Sequence, residues 1–247
     1  MRNSKRIRTA IYCAGSILIL FSCAKDPTEI ERTPTSTFPL TADSRWEYSG
    51  LWYKVPFNDS SLADTVRREI YRHIIGTDSL HEFADLVICD DTIITYVFGQ
   101  VDTFINRQWL KMEDDKLKLF AHDEYPIGNE PNPYVYDNPR ILLDLPLSGG
   151  KTWVAWTFND FFENKTVVGI DYLQLPTGWN YCDVIRADIV GLSNDTITKY
   201  EWYEDDGLMR YEIDLGVSIE EDDNGFFLDS VRIFEVWDII DMEISDL

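Results

Sequence analysis

The chain has 247 residues, and its 44 acidic against 22 basic side chains leave a formal charge of −22. That balance excludes a basic groove for nucleic acid, and attraction to anionic headgroups, because both need clustered Lys and Arg. With 45% apolar and 14% aromatic residues, eight of them Trp, the chain can fill a sizeable core and lacks a disordered composition.

Arg2, Lys5, Arg6 and Arg8 precede an apolar run from Ile11 to Phe21. The run falls short of the about 20 residues that a spanning helix needs, and basic-then-apolar is the order of a secretory signal. It ends in Leu20-Phe21-Ser22-Cys23. This arrangement resembles the lipobox of bacterial lipoproteins. The resemblance implies that residues 1–22 are a signal peptide and that Cys23 becomes a lipidated N-terminus, carrying fatty acyl chains such as palmitate. Each buried methylene adds about 0.8 kcal/mol, and more than one chain gives stable anchoring, so the membrane is the expected partner. No Asp follows Cys23 directly, which favours the outer membrane of a bacterial cell envelope. Lys25-Asp26, Glu29 and Glu31 resemble the charged export tag of surface lipoproteins, but Pro27 interrupts it, so the periplasmic and surface faces both stay open. Loss of the leader takes away four positive charges and moves the formal charge from −22 to −26. Residues 23–37, rich in Pro, Thr and Glu after the cysteine, read as a flexible tether.

An internal repeat follows. Phe38-Pro39-Leu40-Thr41 leads to Trp46, and Leu145-Pro146-Leu147-Ser148 leads to Trp153, at equal spacing. Ile74-Ile75-Gly76 recurs as Val167-Val168-Gly169. Thirteen residues beyond each glycine lies a cysteine, Cys89 or Cys182, and 33 beyond lies a tryptophan, Trp109 or Trp202. Glu113-Asp114-Asp115 and Glu204-Asp205-Asp206 come next. These matches delimit a first β-rich repeat at 38–121, a linker at 122–144 rich in Pro and Gly near its start, and a second repeat with a C-terminal hairpin at 145–247. Leu62, Val66, Ile70 and Ile74 recur every fourth residue, which suits a short helix, whereas the matching part of the second repeat reads as strand.

Elsewhere the pattern alternates at period two. Thr198, Tyr200 and Trp202 share one face and Lys199 and Glu201 the other; Met209, Tyr211 and Ile213 oppose Arg210 and Glu212. Val, Ile, Thr, Tyr and Trp dominate these runs, and Asp206-Gly207 and Asn224-Gly225 mark turns. The predicted fold is all-β: antiparallel meanders in a tandem-duplicated arrangement, forming either one large curved sheet or half-barrel, or two packed sheets. Leu175-Pro176-Thr177-Gly178-Trp179-Asn180-Tyr181-Cys182 and Trp202-Tyr203-Glu204-Asp205-Asp206-Gly207-Leu208-Met209-Arg210 resemble two recurring segments of β-rich bacterial secreted proteins and lipoproteins. That resemblance implies a fold neighbourhood, which includes the lipid-carrier half-barrel of periplasmic lipoprotein chaperones, and no reaction.

The sequence carries no catalytic or metal-ligand constellation. His73, His81 and His122 have no paired spacing, and Glu220 to Gly225 imitates a calcium loop but lacks the acidic twelfth residue, reading as a solvated hairpin tip. Asp90-Asp91 and Asp205-Asp206 read the same way. Cys89 and Cys182, at matching repeat positions in an oxidising compartment, are candidates for a disulfide or for two buried thiols. Trp46, Trp153 and Trp202 read as core. The expectation is a membrane-anchored, non-catalytic lipoprotein with a binding or structural role at the envelope and no cofactor. The alternatives are a carrier of an apolar ligand and a glycan-binding module.

Overall fold

The computed structural model describes residues 33–56, 64–97, 99–159, 161–191, 196–221 and 227–245. They form twelve strands: β1 (Arg45–Pro56), β2 (Asp64–Leu80), β3 (Phe83–Val97), β4 (Gln100–Glu113), β5 (Lys116–Pro126), β6 (Tyr134–Asp144), β7 (Thr152–Phe158), β8 (Phe161–Leu175), β9 (Gly178–Val190), β10 (Thr196–Glu204), β11 (Gly207–Glu221) and β12 (Phe227–Glu243). All belong to one antiparallel sheet in the order β6-β5-β4-β3-β2-β1-β12-β11-β10-β9-β8-β7. Two six-stranded meanders are thus joined side by side through β1 and β12. Twisted sheets of more than about ten strands curl to cover their apolar face. Here the curl brings the edge strands β6 and β7 together into a nearly closed barrel. Side chains span that seam: Trp153 Nε1 donates to the Ile141 carbonyl at 3.1 Å and Lys165 Nζ to the Leu142 carbonyl at 2.9 Å. Of the two sheet arrangements compatible with the sequence, the single curved sheet is the one adopted.

The repeat holds strand for strand, β1–β6 against β7–β12. Gly76 and Gly169 both sit at a register shift in the second strand of their meander, with φ of 142° and 152°. From these bulges run matching cross-strand rows, Gly76–Ile88–Trp109 and Gly169–Val184–Trp202. A second shift follows Trp109 and Trp202 alike. Phe38, Leu40, Leu145 and Leu147 all join the core at one end, with Trp46, Leu117, Leu143, Trp153 and Leu208. Each fully buried aliphatic or aromatic side chain there contributes about 1.5–3 kcal/mol.

Three boundaries differ from the sequence reading. Residues 122–144 are not a linker: β5 continues to Pro126 and β6 begins at Tyr134, so only 127–133 connect them. Pro and Gly cluster in that short span and made the break look longer than it is. The tether gives way to ordered chain by Thr35, which is 1% exposed; its amide donates to Asp183 Oδ2 at 2.8 Å, and the amides of Ser36 and Thr37 reach Asp205 Oδ1. The four-residue recurrence of Val66, Ile70 and Ile74 lies in β2, not in a helix. An even spacing also keeps residues on one face of a strand, so period four does not separate the two. Leu62 lies outside the described residues, as do residues 1–32, including Cys23, and the hairpin tip at 222–226.

Candidate functional site

Alternation along β8 and β10 turns Glu163, Lys165, Lys199 and Glu201 inward. Lys165 lies opposite Ala187, and Ala187 opposite Lys199, which sets the two lysines on one row. Lys165 Nζ donates to Glu201 Oε2 at 2.7 Å, besides the Leu142 carbonyl. Lys199 Nζ lies 2.9 Å from Glu163 Oε1 and 3.1 Å from Glu201 Oε1. Arg140, on β6, crosses the seam and donates to Glu163 Oε2 at 2.7 Å, while its guanidinium lies 5.1 Å from the Trp156 ring centroid. The chain Arg140–Glu163–Lys199–Glu201–Lys165 therefore holds three cations against two carboxylates. Burial costs Glu163 and Glu201 their hydration, yet the lysines beside them hold both carboxyls below the usual range. Burial wins at Lys165, whose pKa is lowered, and loses at Lys199, which two carboxylates raise.

Across the barrel, Arg72 of β2 makes a bidentate pair with Asp91 of β3, at 2.7 and 2.8 Å, and Gln108 Nε2 adds a third donor at 3.3 Å. Asp91 is 1% exposed, so the solvated reading of Asp90-Asp91 fails for it. Strand alternation separates the two: Asp90 turns to the other face and binds Arg107. Asp205 is likewise engaged, holding Ser36 and Thr37.

Between these groups lies a cavity of about 300 Å³, walled by Leu110, Leu117, Leu119, Leu142, Tyr203 and Trp237 and reached by Asn106, His122, the cations Arg72, Arg140, Lys165 and Lys199, and the carboxylates Asp91 and Glu201. It is a small, half-polar chamber of the size that small ligands occupy. The His122 ring stacks on Tyr136, centroids 5.4 Å apart, and among the described residues its buried Nδ1 has no hydrogen-bond partner. Burial, helped by Arg140, lowers its pKa. A buried polar atom without a partner at a cavity wall marks a place where a bound molecule or water can bond.

The residues singled out from sequence fall elsewhere. Trp46, Trp153 and Trp202 are buried, at 2%, 8% and 7% exposure. The bridge between Cys89 and Cys182 is not formed: both are buried thiols, and burial drives the Cys89 pKa well up. Register gives the reason. Cys89 lies opposite Ile74, two residues before the Gly76 bulge, whereas Cys182 lies opposite Asp171, two residues after the Gly169 bulge. The structural counterpart of Cys89 is Ile185, opposite Val167. Equal sequence spacing concealed a longer second hairpin: Gly76 pairs with a residue 12 positions on and Gly169 with one 15 positions on, which is the three-residue offset between Cys182 and Ile185. His73 lies 3.7 Å from Asp43, and His81 sits in the β2–β3 turn. Among the described residues, no three His, Cys, Asp or Glu side chains group as a metal site, and no helix is long and apolar enough to cross a membrane. The belt itself was missed. Its one sequence signal is charge repeated at strand spacing, Glu163-x-Lys165 and Lys199-x-Glu201, and alternation alone does not say which face is inside.

No family model matches the chain, and no characterised protein sequence matches it. Among solved structures, it is similar to a candidate exported protein with a YmcC-like fold from Bacteroides fragilis. The two are 12% identical over 85% of this chain and 99% of that one, with a TM-score of 0.41. A DUF1329 family protein from Desulfovibrio piger is 9% identical over 83% of this chain and 88% of that one, with a TM-score of 0.27. Neither likeness brings a ligand or a reaction with it.

Proposed function

We propose that this chain is a lipid-anchored, non-catalytic protein of the bacterial envelope whose barrel interior binds a small amphipathic anion. The anchoring half of the reading rests on the leader and Cys23. The binding half rests on one observation: a chain of formal charge −22 places an excess of cations over carboxylates around an interior cavity with leucine walls. Three cations share two carboxylates in the belt, so one positive charge there is left for a guest. In a poorly solvated chamber that excess attracts an anionic headgroup more strongly than it would in water, while the leucines take the apolar body. A ligand that is apolar throughout fits less well, because it would leave His122 Nδ1 unsatisfied.

The test is calorimetry on the mature protein with decanoate and with its neutral methyl ester. Decanoate should bind at least about tenfold more tightly, the equivalent of 1.4 kcal/mol. Equal affinities, or binding of neither, would remove the anionic-ligand reading and leave a structural or protein-binding role. Anchoring is read separately: Cys23→Ala should release the protein from the membrane fraction.

A further inference from the structure

The β8–β9 hairpin carries the most conspicuous unpartnered surface among the described residues. Past the Gly169 bulge, Ile170 pairs with Asp183, Tyr172 with Tyr181, and Gln174 with Trp179. Ile170, Tyr172, Trp179 and Tyr181 therefore share one face, and they are 58%, 46%, 55% and 41% exposed. Tyr172 stacks on both neighbours, with centroids 4.6 Å from Trp179 and 4.2 Å from Tyr181. The opposite face, with Leu173, Leu175, Cys182 and Val184, is buried in the core. The exposed rings are thus held on a rigid backing and are not needed to close the fold.

What covers them is indicated by where the chain enters the domain. Asp183 lies on the same strand face as Tyr181 and Trp179, and its carboxylate accepts the Thr35 amide at 2.8 Å. At about 3.3 Å of rise per residue, Tyr181 is about 7 Å and Trp179 about 13 Å along the strand from that anchoring point. Eleven residues separate Cys23 from Thr35, and they reach at most about 40 Å when fully extended. The aromatic face therefore sits at the attachment point of a short leash. No Lys or Arg occurs between Lys165 and Arg186, so the hairpin itself supplies no cation for anionic lipid. Trp and Tyr on a hairpin that carries no Lys or Arg of its own suit the headgroup level of a zwitterionic bilayer, where an apolar ring and a polar tip are both satisfied.

We propose that this face lies against the surface of the membrane that holds the anchor, and orients the barrel on it. The inference rests on the lipid-anchor reading and extends it.

The experiment reconstitutes the lipidated protein in phosphatidylcholine vesicles whose acyl chains are brominated near the headgroup, and measures quenching of tryptophan fluorescence. Quenching is expected in the wild type and in Trp237→Phe, and it should fall to background in Trp179→Phe. Quenching that survives Trp179→Phe, or no quenching of protein that co-floats with the vesicles, would overturn the proposal. So would a dimer that Trp179→Ser splits, or quenching of Trp179 by soluble polysaccharide with none by bilayer, since each names another occupant. In Cys23→Ala protein, Tyr172→Ser with Trp179→Ser should weaken partition into the same vesicles by at least about tenfold, with an unchanged Tm. If Cys23→Ala still floats as well as wild type, the anchor reading fails, yet Trp179 quenching still decides whether this face meets lipid.

Discussion

The two meanders meet the same structural position with different chemistry. Arg72–Asp91–Asn106 runs across β2, β3 and β4, and Lys165–Ala187–Lys199 runs across β8, β9 and β10. One residue pair along, Gln108 corresponds to Glu201, and Ile70 to Glu163. The first meander puts its carboxylate on the middle strand, between the arginine and two amides, and is neutral by itself. The second leaves alanine in the middle, puts two cations on the flanking strands, and moves the carboxylates to Glu163 and Glu201. Arg140 then enters from the first meander across the seam. A duplicated backbone thus holds a closed ion pair on one wall and an extended, cation-rich belt on the other. The difference shows that the bulges and rows define the scaffold, whereas the charges at equivalent points of that scaffold were free to change. The cavity lies where the unlike walls face each other.

The largest effect should come from removing the carboxylate that both lysines share. Glu201→Gln leaves Lys165 and Lys199 with Glu163 alone, and breaking a buried pair in this way costs about 3–5 kcal/mol. Asp91→Asn strands one cation rather than two and should cost less. Urea denaturation of the two variants ranks them. A sharper form transplants the first meander's solution: Ala187→Asp in the Glu201→Gln background returns a carboxylate to the middle strand. It should recover about 0.5–3 kcal/mol in a double-mutant cycle. No recovery would mean that the two walls differ in more than where the charge sits.

The glycine bulges test the shared scaffold. A Cβ added at Gly76 or Gly169 would meet nothing within 4 Å, so the cost of alanine is conformational alone, at φ of 142° and 152°. Each substitution should destabilise by about 1–3 kcal/mol, and by similar amounts in the two halves. Unequal denaturation midpoints would break the equivalence of the meanders at its most regular point.

How much of this was legible in the sequence follows from what repeats. Glycine recurs because the bulge needs its backbone, and tryptophan because the core needs its volume, whereas the acidic turns share only their place: Asp114 and Asp115 close the β4–β5 hairpin with φ of 52° and 59°, while at the matching turn after Asp205-Asp206 the positive φ falls on Gly207, at 120°. Strand class, duplication and buried tryptophans could be read from such marks. The belt could not. Lys165 and Glu201 stand 36 positions apart in the chain, and only cross-strand register places them 2.7 Å from each other. The cysteines mislead for the same reason, since the β2–β3 and β8–β9 turns fall at different distances from their bulges. The contrast extends to the hairpin surfaces. Thr77, Ser79 and Asp85 expose a polar face on the first hairpin, where the second exposes Ile170, Tyr172, Trp179 and Tyr181.

The smallest predicted effect concerns His122 and its counterpart Tyr211, which end matching rows next to Gln108 and Glu201. His122 faces Gln108 and Tyr134 across the strands and Tyr136 and Arg140 from β6, with Asp123 and Glu124 adjoining. Burial and Arg140 lower its pKa in the folded protein. As pH falls through the ordinary histidine value near 6.5, the unfolded chain therefore takes up a proton before the folded one does. Stability contributed by the neutral ring is present above that pH and is lost below it, until the folded pKa is reached. The second wall has no such group, because Tyr211 is driven upward by its burial and stays neutral throughout. Urea midpoints of wild type should drop between pH 8 and 5.5, and His122→Phe should flatten that slope. The depressed carboxyls of Glu163 and Glu201 act only at lower pH, where both proteins should weaken together. A slope unchanged in His122→Phe would place the titrating group elsewhere and leave the two walls alike in their response to acid.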